Sequence, residues 1–149
     1  MAIGEICNRE VVYAARDTTV QAAAKLMRHY HVGSLVIVDD LAGKRIPVGI
    51  VTDRDIVVEV DATDLDPKVI TIGDIMTPEL ITVPESEGVL ETMEVMRFKG
   101  VRRMPVVDSD GQLAGIVTID DLIEVLVEEL TDLTRSISKE QTREMQSRK

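Results

Sequence analysis

Two short stretches hold the side chains best suited to chemistry, Thr52-Asp53-Arg54-Asp55 and Thr118-Ile119-Asp120-Asp121. Each sets a threonine three residues ahead of an aspartate, at the head of an apolar run. One reading is structural. Such spacing resembles a capping box, although Glu or Gln is the usual partner, and acids in a first helical turn suit the macrodipole. The other reading is chemical. A carboxylate accepts two neighbouring sugar hydroxyls side by side, and a helix N-terminus beside it offers N–H groups to an anion. Taken singly, each motif favours the cap.

Arg97, Lys99, Arg102 and Arg103 form the one basic cluster of an acidic chain whose net charge is −10. Arg97 and Lys99 read as a solvated helix end. Arg102 and Arg103 stand just before an apolar strand. His29 and His31, two residues apart, do not share a helical face and have no third ligand nearby, so a surface helix end is the reading. There is no G-x-x-x-x-G-K-[ST], no H-E-x-x-H and no nucleophile elbow, so no enzyme is expected. The acidic balance and 2% aromatics argue against nucleic-acid binding. With no apolar run of bilayer length, no leader and a single cysteine, the expectation is a cytoplasmic chain without membrane contact.

The elements that position these residues are written twice. Ile3-Gly4-Glu5-Ile6 recurs 69 residues later as Ile72-Gly73-Asp74-Ile75, and Ile37-Val38-Asp39 as Val106-Val107-Asp108. After a longer turn in the first copy (Leu41 to Pro47), Gly49-Ile50-Val51-Thr52 matches Gly115-Ile116-Val117-Thr118 at a spacing of 66. Each copy predicts β-α-β-β-α. Cap-type starts (Asp17-Thr18-Thr19 and Glu85-Ser86-Glu87) precede apolar residues at helical spacing, and unbroken apolar runs such as Leu35-Val36-Ile37-Val38 read as strands buried on both faces. The fold class is α/β of the α+β type: two repeats packed sheet-to-sheet about a pseudo-twofold axis, with clefts where they meet. The boundaries are 1–61 for the first repeat, 62–71 for an acidic linker, 72–131 for the second repeat and 132–149 for a helical or frayed tail. Cys7 takes the place of Met76 and reads as a packed residue more than a nucleophile; Met27, Met93, Met96 and Met104 read as core.

The repeat resembles the CBS domain, and the tandem resembles a Bateman module. The resemblance rests on I-G-[ED]-I with Met76-Thr77, on Val101-Arg102-Arg103-Met104-Pro105-Val106-Val107-Asp108, and on the closing Gly-Ile-Val-Thr-x-x-Asp. It spans about Ile3 to Leu130. The first copy departs from it, with Cys7-Asn8 for Met76-Thr77 and Gly33-Ser34 for Arg102-Arg103. The resemblance implies a non-catalytic sensor that takes adenosine-containing ligands (AMP, ADP, ATP, S-adenosylmethionine or NAD) and requires no cofactor. One implied site combines Thr52, Arg54 and Asp55 with Thr82, Val83, Val101, Arg102, Arg103 and Met104. Its mate combines Thr118, Asp120 and Asp121 with Ala14, Ala15, Val32, Gly33 and Ser34. In that context Asp55 and Asp121 become ribose ligands, and Arg102 and Arg103 phosphate ligands. The first site then prefers the more phosphorylated ligand, because the second carries Asp120 and needs a cation such as Mg²⁺ to accept a polyphosphate.

Beyond Val117, Leu122, Leu126, Leu130, Leu133 and Ile137 continue a helical seam, widened by Ile123 and Val127; Ser138 to Lys149 is polar and is expected to fray. So wide an apolar arc predicts a homodimer. An effector protein is the further partner implied for a sensor, and an oligomerisation domain with vestigial sites is the competing function.

Overall fold

A computed structural model describes residues 1–77 and 79–148. It contains two three-stranded sheets built alike. In the first, β1 (Tyr13–Ala15) runs parallel to β2 (Ser34–Leu41), which pairs antiparallel with β3 (Lys44–Thr52). In the second, β4 (Val83–Pro84), β5 (Arg103–Val107) and β6 (Leu113–Thr118) repeat that order and sense. The two sheets meet through β3 and β6. The apolar runs are central strands, as their composition requires: Leu35, Val36 and Ile37 are sealed from solvent, and so are Met104 and Val106.

The helices are α1 (Ile3–Ile6), α2 (Val20–Tyr30), α3 (Asp53–Ile56), which runs on as a π-helical turn (Val57–Asp61), α4 (Ile72–Ile75), α5 (Val89–Lys99) and α6 (Ile119–Ser147). Thr19 caps α2 by accepting the Ala22 N–H at 3.2 Å, whereas α5 starts at Gly88 with no side-chain cap. Val20, Ala23 and Met27 face the first core, and Val89 and Met96 the second. Thr92 is also buried, its hydroxyl donating to the Gly88 carbonyl at 2.7 Å. His29 lies in the last turn of α2, and His31 ends that helix in the left-handed region; both are exposed.

Two expectations are corrected. The longer turn from Leu41 to Pro47 is instead a tight hairpin. The strands pair out to Leu41 and Lys44, and Ala42 and Gly43 take positive φ values of 55° and 81°, the geometry a two-residue connection needs. The tail from Ser138 does not fray, because α6 continues to Ser147 (Lys149 lies outside the described residues). Nothing from Ile119 onward is Gly or Pro, and Arg148–Glu144 and Arg135–Asp132 pairs brace the exposed turns.

The packed units are not the sequence repeats. Ile72, which opens the second repeat, is fully buried in the first core with Val20, Ala23 and Leu35. Ile3, which opens the first, is fully buried in the second core with Val89, Met96 and Met104. The backbone bonds mirror each other. Ile3 and Gly4 donate to Glu87 and Glu85 at 2.8 and 2.9 Å, while Ile72 and Gly73 donate to Thr18 and Arg16 at 2.8 and 2.9 Å. Gly73 is required by this approach, since a Cβ there would sit 2.8 Å from the Arg16 carbonyl oxygen. Burying an isoleucine contributes about 2–3 kcal/mol, so each core relies on a turn supplied by the other repeat.

Candidate functional site

The exchange of opening turns creates two clefts. Chain leaving α4, seated on the first unit, must cross to β4 in the second, and on the way it passes the end of β3. The resulting cleft, of ≈ 430 Å³, is lined by Thr52 and Asp55 on one side, by Thr77 and Glu79–Ile81 along the crossing chain, and by Val101, Arg102 and Arg103. Chain leaving α1 crosses the other way, past the end of β6. There Asn8, Glu10, Val11 and Val12 line a smaller cleft of ≈ 230 Å³ with Thr118, Val32, Gly33 and Ser34. The smaller cleft opens beside a groove of ≈ 700 Å³ that shares Asn8 and Glu10 and adds Tyr13, Leu26 and Tyr30. Arg45 lies 4.6 Å over the Tyr13 ring.

The capping reading of the two Thr-x-x-Asp motifs is correct. The Thr52 N–H donates to Asp55 Oδ2 at 2.9 Å, and the Asp55 N–H to the Thr52 hydroxyl at 3.1 Å. The Thr118 N–H and hydroxyl donate to Asp121 Oδ2 at 2.8 and 3.0 Å. The same box recurs at Thr71–Asp74, away from either cleft. There the Thr71 N–H and hydroxyl hold the Asp74 carboxyl below its ordinary range. The box therefore also serves a helix start away from the clefts. At Asp55 and Asp121 it occupies only Oδ2, and Oδ1 accepts no protein hydrogen bond among the described residues.

Not every residue implied by the resemblance reaches a cleft. Thr52, Asp55, Val101, Arg102 and Arg103 line the first, and Thr118, Val32, Gly33 and Ser34 the second. Val83, Ala14 and Met104 are instead buried in the cores, on the inward faces of β4, β1 and β5. Ala15 ends β1 and Thr82 directly precedes β4; neither lines a cleft, and the crossing chain just upstream takes their place. Arg54 and Asp120 are exposed outside both clefts; each precedes the aspartate of its capping box, so the helix turns it outward. Asp121 is half-buried beside Thr118 but does not line the second cleft.

The crossing segments were legible in one respect. Asn8, Glu10, Val11 and Val12 match Thr77, Glu79, Leu80 and Ile81 at the 69-residue spacing, glutamate against glutamate. Two features were not: Arg103 lines both clefts, and its counterpart Ser34 lines only one. Neither Arg102 nor Arg103 has an ion-pair partner among the described residues, while Lys99 approaches Glu79 at 3.9 Å.

Cys7 and Met76 are packing residues on opposite units. A Cβ at Gly115 would come within 2.7 Å of the Cys7 sulfur, and one at Gly49 within 2.7 Å of the Met76 sulfur. Burial pushes the Cys7 thiol above its ordinary pKa, against the opposing charge of Arg9.

The CBS-domain profile matches this sequence twice, over residues 3–62 and 72–128. The chain belongs to the CBS-domain family. Among its relatives is an uncharacterized protein of Methanopyrus kandleri, 38% identical over 125 residues; the match covers 84% of this chain but only 62% of that protein. Hypoxic response protein 1 of Mycobacterium tuberculosis is 36% identical over 124 residues, the match covering 83% of this chain and 84% of that one. The CBS domain pair of protein MJ0100, solved in complex with 5′-methylthioadenosine and S-adenosyl-L-methionine, superposes with a TM-score of 0.73 at 29% identity, covering 87% of this chain and 98% of that one. No described helix is long and apolar enough to cross a membrane.

Proposed function

We propose that this CBS pair is a non-catalytic regulatory module that binds adenosine-containing ligands in its two clefts and requires no cofactor. The observation that carries the reading is the half-used carboxylate. Asp55 is locked by its cap with one oxygen left to accept ribose hydroxyls, and unpaired Arg102 and Arg103 share the same cleft. A cleft of ≈ 430 Å³ falls within the usual range for small-molecule sites. The adenosine ligands of the MJ0100 pair support the ligand class.

The first cleft takes the more phosphorylated ligand, AMP to ATP, on its two arginines. The second has only the shared Arg103, with Glu10 opposing it, and takes AMP, adenosine or a cationic nucleoside such as S-adenosylmethionine; a polyphosphate there calls for Mg²⁺. Two copies associate as a homodimer through the helices that follow the closing motifs, and the ligand state is read by an effector protein in the cytoplasm.

Asp55→Asn tests the reading in the first cleft. Asparagine keeps an oxygen for the threonine N–H but replaces the free acceptor with a donor. Calorimetric titration with AMP, ATP and S-adenosylmethionine should show a loss of about tenfold or more in the affected cleft, since a hydrogen bond to a charged group is worth about 1.5–3 kcal/mol. If the variant binds every ligand as the parent does, the ribose assignment is wrong.

A further inference from the structure

We propose that α6 pairs with the same helix of a second copy as a parallel, two-stranded coiled coil extending beyond the CBS pair. The inference rests on the homodimer reading and specifies its geometry. Ile123, Leu126, Leu130, Leu133 and Ile137 follow one another at alternating steps of three and four, the spacing of a heptad seam, where a simple amphipathic stripe drifts. All five are exposed in the single chain, Leu130 and Leu133 at 63% and Ile137 at 58%. Only Leu122 on this helix is buried, in the second core. Glu124, Glu128, Asp132, Arg135 and Lys139 lie off the seam, and Val127, 56% exposed, flanks it.

The residue types select the arrangement. Ile123, Leu130 and Ile137 take the a positions, and Leu126 and Leu133 the d positions; two of the three a residues are β-branched, and β-branched residues at a with leucine at d favour two parallel strands. Parallel pairing sets Glu129 against Thr134 and Ser136 against Gln141 across the flanks, so no like charges oppose each other there. The seam closes where Glu140 and Glu144 take the next d and a positions. A seam of about 22 Å does not hold two helices alone. It is continuous, however, with an apolar groove of ≈ 380 Å³ between α5 and α6, lined by Met93, Met96 and Val101 and bordered by Ile123 and Leu126. Helix and groove together form one surface that a second copy covers.

Sedimentation velocity of the full chain at micromolar concentration is the test. The parent should sediment as a dimer, and Leu130→Asp with Leu133→Asp should weaken dimerisation by at least a hundredfold. Both side chains are exposed, so the CBS pair stays folded, as thermal unfolding will check. In a Cys7→Ala background, Leu133→Cys should form an intermolecular disulfide under mild oxidation, and Asp132→Cys, off the seam, should not. A monomeric parent overturns both the coiled coil and the homodimer. A dimer unaffected by the two aspartates overturns the coiled coil and leaves the homodimer standing. A dimer sensitive to them but not cross-linked at residue 133 overturns the parallel arrangement.

Discussion

The two clefts share one plan and differ in charge. Each is bounded by a closing Thr, a crossing segment with one glutamate, and the residues that lead into a central strand. At the matching places the first has Arg102 and Arg103, and the second has Gly33 and Ser34. The difference is smaller than the repeat alignment suggests. Arg54 and Asp120, which the alignment sets against each other, lie outside both clefts, and Arg103 reaches the second as well as the first. A duplicated fold thus keeps its scaffold and varies its chemistry through a few side chains at one seam.

The scaffold half of that comparison is the easiest to break. Ile3→Ala and Ile72→Ala each empty a fully buried site in the core of the opposite unit and should cost about 2–5 kcal/mol. Denaturant unfolding should give similar losses for the two, and a large loss for only one would show that the units are not equally dependent on the exchange.

Arg102→Ala with Arg103→Ala should weaken ATP binding by more than tenfold and AMP binding by less, with the gap narrowing as salt rises. Titrations at two ionic strengths measure it. If ATP loses no more than AMP, phosphate reading by these arginines must be abandoned. Ser34→Arg sharpens the same contrast from the other side, and it should raise the second cleft's affinity for ATP about tenfold; an unchanged affinity would place the difference elsewhere.

The smallest effect concerns pH. Two hydrogen bonds from Arg16 Nε and Nη2, at 2.8 and 2.9 Å, hold the Asp39 carboxyl below its ordinary range, as Thr71 does for Asp74. A depressed folded pKa adds stability that is present above the ordinary carboxylate pKa and is lost as pH falls through the folded value. The parent should therefore weaken progressively below about pH 4, and Asp39→Asn with Asp74→Asn should flatten that decline in denaturant titrations. An equally steep decline in the variant would remove these two groups from the acid response.

The elements were legible because burial on both faces leaves continuous apolar strands such as Leu35–Val38, and because a fixed spacing ties the copies together. The capping threonines were legible from local chemistry. What periodicity could not convey was which core an opening isoleucine enters: Ile3 and Ile72 look alike in either placement, and only the backbone bonds to Glu87 and Thr18 decide. The cleft lining shifted for the same reason. Once the opening turns change sides, the chain between turn and strand becomes the wall, and Glu79–Ile81 stand where Thr82 and Val83 were expected.

The exchanged turns also bear on descent. A lone repeat of this design carries an isoleucine it cannot seat and a core it cannot close, and a second identical repeat remedies both defects at once. An ancestral gene encoding one repeat would then have made a product viable only in pairs, each lending its first turn to the other. Duplication with a short acidic tether would turn that mutual exchange into an internal one. Freed from serving both sides identically, the two seams could take different residues, and Arg103 opposite Ser34 is the kind of divergence that a symmetric pair of identical chains could never have held.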